Sequence, residues 1–163
     1  MNEADKLRAK LNLPPVSQIG VVVRDMDKAI EFYSSVFGIG PFNVYELVPE
    51  KYWYMGEPSH LKVLVALSRW GEIELELVQP IEGKSVHKDF LETHGEGLQH
   101  LGFVVTDYDE IFDRFIKAGF APLLRVETYV AKNKYYLKAC YFDTRKVGGV
   151  IFEIIGRIPV PQT

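Results

Sequence analysis

Gln18-Ile19-Gly20-Val21-Val22-Val23-Arg24-Asp25-Met26-Asp27 decides the fold, because the chain carries it twice. The second copy is His100-Leu101-Gly102-Phe103-Val104-Val105-Thr106-Asp107-Tyr108-Asp109. Gly20, Val22, Val23, Asp25 and Asp27 each find the same residue in the later copy. A second anchor follows in the same order, since Leu75-Glu76-Leu77-Val78 matches Phe152-Glu153-Ile154-Ile155. Self-similarity at a fixed period marks two copies of one supersecondary unit.

Each copy reads as βαβββ. A short β-rich run (18–23 and 100–105) leads to Asp25 or Asp107, placed to cap a helix by accepting its first free amide hydrogens. Met26, Ala29, Ile30, Tyr33, Val36 and Phe37 then fall at helical spacing, as do Ile111, Phe112, Phe115 and Ile116. Gly38 and Gly119 read as helix stops. Three strands follow in each half, at about 41–47, 61–68 and 72–79, and at about 122–129, 135–142 and 149–155, with a tight hairpin at Trp70-Gly71. The expected fold is α+β, with an N-terminal extension (1–15), a first module (16–80), a linker (81–97), a second module (98–157) and a tail (158–163). Residues 3–11 and the linker around Val86, Phe90 and Leu91 each read as a short helix. Pro49 to His60, rich in aromatics, has no counterpart in the second half. It reads either as a loop packed on its own Tyr52, Trp53, Tyr54 and Met55, or as a lid or substrate wall.

Composition narrows the function classes. The net charge of −3 over 163 residues argues against nucleic-acid binding, which favours a basic surface. No apolar run is long enough to span a bilayer, and Met1 to Lys10 lacks the apolar core of a signal peptide. A cytoplasmic protein without membrane contact is the expectation. Cys140 is the one cysteine, so an intrachain disulfide is impossible, and its strand-like setting suggests a small buried hydrophobe rather than a nucleophile.

Four polar positions stand out. Strand side chains alternate between faces, so Glu72, Glu74 and Glu76 share one face and Ile73, Leu75 and Leu77 pack on the other. Glu72 and Glu74, nearer the hairpin, read as exposed charges, and Glu76 lies deeper. Glu153 sits between Ile151 and Ile155 on its own face, where an unpaired carboxylate is costly to bury. The repeat places Glu76 and Glu153 at matching sites, where they would repel each other unless a cation lay between them. Gln18 and His100 also match. Imidazole, amide oxygen and two carboxylates form a nitrogen–oxygen ligand set for one divalent ion. His60, His87 and His94 read as surface residues. Arg125, Lys132, Lys134, Lys138, Arg145 and Lys146 concentrate positive charge in the second half, as a solvated hairpin face or as a site for substrate phosphates or a carboxylate.

The two repeat segments, with Phe32-Tyr33 to Phe37-Gly38, Glu76-Leu77-Val78-Gln79-Pro80, Gly97-Leu98-Gln99-His100 and Gly149-Val150-Ile151-Phe152-Glu153-Ile154, resemble the vicinal oxygen chelate superfamily, also called the glyoxalase/bleomycin-resistance/dioxygenase fold. The resemblance covers residues 16 to 156 and implies a curved sheet of two βαβββ modules. Within it, Gly97 to Gly102 and Gly149 to Glu153 look like the methylmalonyl-CoA epimerases. That branch begins its metal set with His and has Gln second, where this chain has Gln18 and Glu76. It takes a base from the strand before the second ligand, and here Leu61 to Leu67 offers no carboxylate. The Gln/Glu/His/Glu set is similar to glyoxalase I (lactoylglutathione lyase), although Val147-Gly148-Gly149 departs from the usual approach to the last ligand. Ring-cleaving dioxygenases use two His and one carboxylate, and Gln18 stands where a His is expected. A non-catalytic small-molecule binding protein is the remaining alternative.

The resemblance implies an epimerase or isomerase that moves a proton beside a carbonyl of a small thioester or hemithioacetal, through a metal-stabilised enolate. Gln18, Glu76, His100 and Glu153 are the expected ligands of one divalent ion, zinc, cobalt, nickel or manganese. Glu153, with Glu76 as second choice, is the expected base. A homodimer is expected, because relatives assemble such modules both within one chain and between two.

Overall fold

The computed structural model describes residues 11–161. The chain runs β1 (Gln18–Val22), α1 (Met26–Phe37), β2 (Asn43–Leu47), β3 (Lys51–Tyr54), β4 (Glu57–Pro58), β5 (Leu61–Trp70) and β6 (Ile73–Gly83). It continues with α2 (Val86–His94), β7 (Gly97–Val104), α3 (Tyr108–Lys117), β8 (Pro122–Val130), β9 (Tyr135–Phe142) and β10 (Ile151–Pro159).

All the strands join one curled mixed sheet in the order β2-β5-β6-β1-β7-β10-β9-β8-β3-β4. The repeat is visible in that order. Reading outward from the central β1–β7 seam, the first module gives β1, β6, β5, β2 and the second gives β7, β10, β9, β8. The seam is antiparallel, and each first strand pairs in parallel with the last strand of its own module.

Alternation sorts the side chains into an outer and an inner layer. On the outer face of the first module, Leu75, Leu77 and Ala66 pack with Met26, and with Ile30 and Tyr33 of α1. On the second, Phe103, Cys140, Phe142 and Ile154 pack with Ile111 and Phe115 of α3. Each such aliphatic side chain contributes roughly 1.5–3 kcal/mol when fully buried. Inside the curl, Leu61, Val63 and Val65 meet Leu124, Val126, Tyr141 and Ile151, with Val86 of α2 among them. That apolar plug fills part of the interior and leaves the remainder as a cavity.

The helix signals divide unevenly. Asp25 caps α1, its Oδ1 accepting the Lys28 amide at 3.1 Å, and Gly38 ends the helix at φ 67°. Asp107 occupies the same place before α3 but makes no capping hydrogen bond, which corrects the sequence expectation. Its Oδ2 accepts from the Thr106 hydroxyl at 3.2 Å instead. Ser85 caps α2 by accepting the Lys88 amide.

The segment 49–60 forms the β3–β4 hairpin, and β3 adds to the β8 edge of the second module. Tyr52 is buried and its hydroxyl donates to the Lys84 carbonyl at 2.6 Å. The Tyr54 hydroxyl donates to Asp89 at 2.6 Å, and the Arg125 guanidinium lies over Trp53 at 4.8 Å. The aromatics therefore tie the hairpin to β8 and α2. The helix expected over residues 3–11 lies outside the described residues except for Leu11, which packs with Leu13 and Val16 on the second module's outer core. No helix among the described residues is long and apolar enough to cross a membrane.

Candidate metal centre

The seam register builds the centre. Gly20 pairs with Glu76 on one side and His100 on the other. Gly102 pairs with Gln18 and Glu153 in the same way. Each glycine thus lies between two polar residues of neighbouring strands. Glu76, His100 and Glu153 meet within one chain, and Gln18 lies over Gly102, the register partner of Glu153. The glycines leave the space they need: a Cβ on Gly20 would lie 1.8 Å from His100 Cε1, and one on Gly102 would lie 2.9 Å from Gln18 Oε1.

Glu76, His100 and Glu153 form a buried group that could hold a metal ion, with ligand atoms all within 4.8 Å of one another. His100 Nε2 lies 3.1 Å from Glu76 Oε2 and 3.3 Å from Glu153 Oε2. His100 is wholly buried, and Glu76 exposes 12% of its side chain. Glu153 Oε2 is buried without a hydrogen-bond partner. Burial, and then the neighbouring Glu76 charge, push the Glu153 carboxyl well above the ordinary carboxylate range. Tyr141, directly opposite Glu153 across β9–β10, favours the charged carboxylate and opposes the shift. The Tyr141 ring packs edge-on against His100, with centroids 4.9 Å apart.

Gln18 is buried and oriented. Its Nε2 donates to Glu74 Oε1 at 2.9 Å, and the same oxygen accepts from Arg157 at 3.0 Å. Gln18 Oε1 is left buried without a partner. A buried polar atom without a partner costs about 1–3 kcal/mol. Two such oxygens, an imidazole nitrogen and a second carboxylate form an electron-rich cluster short of positive charge. The donor set fits a divalent cation with nitrogen and oxygen ligands.

The structure corrects two sequence expectations here. Glu74 is part-buried and holds both Gln18 and Arg157, so it is no ordinary exposed charge. His87 is 4% exposed, and its Nδ1 lies 2.8 Å from Gln99 Oε1, so it is not a surface residue. His60 and His94 are exposed, as expected. Gln99, Tyr141 and Arg157 carry no signal in the sequence. Gln99 in particular adjoins His100, and strict alternation would place it on the opposite face. Of the basic residues, Arg125, Lys138 and Arg145 pair with Glu127, Asp109 and Asp143. Cys140 is fully buried, and burial pushes its thiol up, away from nucleophilic behaviour.

A cavity of about 610 Å³ opens beside the cluster. Gln18, Glu74, Glu76 and Glu153 line it, with Leu67, Leu137 and Ile155 as apolar wall, Tyr45 between them and Lys132 at the β8–β9 turn. The inner end is therefore anionic and the walls are mixed, a setting for a small molecule with one polar head.

Known proteins share this architecture. The family model of the glyoxalase/bleomycin resistance protein/dioxygenase superfamily matches residues 17–137. The uncharacterized protein YqjC of Bacillus subtilis is 28% identical over 139 residues, covering 85% of this chain and 89% of that protein. The crystal structure of methylmalonyl-CoA epimerase from Mycobacterium tuberculosis superposes with a TM-score of 0.65 at 23% identity, covering 91% of this chain and 90% of that one. A variant of the Streptomyces coelicolor epimerase in complex with 2-nitronate-propionyl-CoA gives 0.61 at 20% identity, covering 88% and 97%. At these identities the two structures speak to the fold, and the curled ten-stranded sheet with α1 and α3 outside is of the glyoxalase type. The chain belongs to the glyoxalase/bleomycin resistance protein/dioxygenase superfamily.

Proposed function

We propose that this protein is a metal-dependent epimerase or isomerase that moves a proton beside a substrate carbonyl, with an acyl-CoA thioester of the methylmalonyl type as substrate. One observation carries the reading: three acceptor atoms, His100 Nε2, Glu76 Oε2 and Glu153 Oε2, converge on one buried point. Gln18, Glu76, His100 and Glu153 would hold the ion. A divalent ion there would supply a Lewis acid that steadies an enolate oxygen.

The chain's own groups account for the proton. Glu76 comes from β6 and Glu153 from β10, on opposite sides of the seam, and both line the cavity. One carboxylate can take the proton from a carbon acid and the other can return it from the opposite side, which is what inversion at that carbon requires. Leu61, Val63, Val65 and Leu67, the inward residues of β5, provide no competing base. The Streptomyces coelicolor epimerase that shares the fold is in complex with an acyl-CoA analogue, which supports the thioester.

The ligand set also favours a second reading, isomerisation of a glutathione hemithioacetal, because it pairs one amide and one imidazole with two carboxylates. Assembly as a homodimer in the cytoplasm belongs to the same proposal, and sedimentation of the purified protein tests the assembly. The decisive experiment measures bound metal, then follows exchange of the α-proton into deuterated water with methylmalonyl-CoA and with the methylglyoxal–glutathione adduct. Metal-dependent exchange of the thioester is the expected result. Exchange of the adduct alone would move the assignment to the second reading. Oxygen consumption with iron(II), or ligand binding without exchange and indifferent to Glu153→Gln, would overturn both.

A further inference from the structure

The β1–β7 register breaks at the centre: Gly20 pairs with His100, and Val21 with Leu98. Gln99 is the extra residue of this bulge, and bulges re-aim side chains. Consecutive residues Gln99 and His100 are consequently both buried and in contact. Gln99 Nε2 donates to the carbonyl of Val86, the first residue of α2, at 2.8 Å. That bond sets the amide's orientation, because the reverse would press two oxygens together. Gln99 Oε1 then faces two imidazoles, at 2.8 Å from His87 Nδ1 and 3.1 Å from His100 Nδ1. An amide oxygen only accepts, so in the neutral rings each Nδ1 carries the hydrogen and each Nε2 the lone pair.

We propose that Gln99, anchored by Val86 and shared with His87, is a positioning residue that holds His100 as the Nδ1–H tautomer and so presents Nε2 as a ligand. The role rests on the metal-centre reading above and extends it to residues outside the ligand set. It addresses a specific competitor. In a metal-free protein the carboxylates of Glu76 and Glu153 favour a hydrogen on Nε2, which would block the ligand position. The Gln99 oxygen draws the hydrogen to the other nitrogen. His87 donates to the same oxygen, and the bond to Val86 keeps it from turning away. Partners of this kind typically change metal affinity 10–100-fold when removed.

The test is a long-range ¹H–¹⁵N correlation spectrum of the metal-free protein at about pH 8, where an ordinary imidazole is neutral. His100 should read as Nδ1–H in the wild type. Gln99→Leu should shift it toward Nε2–H and weaken cobalt(II) binding by about 10–100-fold, with the far-ultraviolet circular dichroism unchanged. His87→Phe should keep the tautomer, because Val86 still anchors the amide. An Nε2–H His100 in the wild type overturns the proposal, as does a Gln99→Leu protein with unchanged tautomer and cobalt affinity. Should Gln99→Leu not fold, the wild-type spectrum alone decides. A wild type that binds no cobalt(II) would overturn the metal-centre reading, while the tautomer, read without metal, still decides the role of Gln99.

Discussion

The imidazole of His100 lies directly over Gly20, in the space that a side chain at residue 20 would need. A Cβ at Gly20 would sit 1.8 Å from His100 Cε1 and 2.0 Å from Nε2. The ring cannot yield, because it is wholly buried and packed against Tyr141. Gly20→Ala should therefore displace His100 and cost about 1–3 kcal/mol of stability, the usual range for overpacking. Cobalt(II) binding should fall by at least about 100-fold, more than for loss of an indirect partner. Gly102→Ala meets Gln18 Cβ and Oε1 at 2.9 Å, a much longer approach than the one at Gly20, and should be the milder change. Urea unfolding and metal titration of the two variants check the order.

Glu153→Gln should separate stability from function. The folded-state affinity of Glu153 for a proton is raised, first by burial and then by Glu76. A carboxyl raised in this way contributes stability at pH below its unfolded value, and that contribution is lost as pH rises through the raised folded value. The amide carries no such charge. In metal-free protein, Glu153→Gln should unfold at higher urea than wild type at pH 8, with a smaller gap at pH 5. Its metal binding and proton exchange should fall by at least about 100-fold. Equal midpoints at both pH values would contradict the buried charge.

Much of this was readable from periodicity. The repeat pairs Gln18 with His100 and Glu76 with Glu153, and alternation puts all four on one face; the seam register then brings them together. Three features escape that logic. Gln99 faces inward because of a bulge, which is set by pairing between modules and leaves no local trace. Glu74 shares its face with Glu76, but its depth depends on Arg157 from β10, far along the chain. The short strands β3 and β4 exist by pairing with each other and with β8, so their residues lack a strand pattern long enough to recognise. In each case a contact distant in sequence overrode a local pattern.

Glu74 should tune the Gln18 ligand. Its Oε1 accepts from Gln18 Nε2 and from Arg157, so the Gln18 oxygen has one orientation toward the cluster. Glu74→Ala removes the acceptor and lets the amide turn. Metal affinity should drop by about 10-fold, with little loss of fold, because Glu74 belongs to none of the three apolar cores. Arg157→Ala should have a smaller effect, since the Gln18–Glu74 bond survives and Arg157 is 40% exposed. Isothermal titration with zinc or cobalt would rank the two, and an Arg157→Ala effect larger than that of Glu74→Ala would contradict this chain of contacts.

His87 should make the fold sensitive to mild acid. Burial, and then the neighbouring His100, push its imidazole down to about 4 from an ordinary value of 6.5. The unfolded chain therefore takes up a proton at a pH where the folded one does not. The stability that neutral His87 supports is present in full above about pH 6.5 and is lost progressively as pH falls toward 4. The span corresponds to roughly 3 kcal/mol. His87→Phe keeps a ring beside Tyr141 and removes the proton uptake. Its stability should fall less steeply between pH 6.5 and 4.5 than that of the wild type, although its midpoint at pH 7.5 is lower for want of the bond to Gln99. Parallel urea midpoints across that window, measured without metal, would show that His87 takes up its proton equally in the folded and unfolded chains.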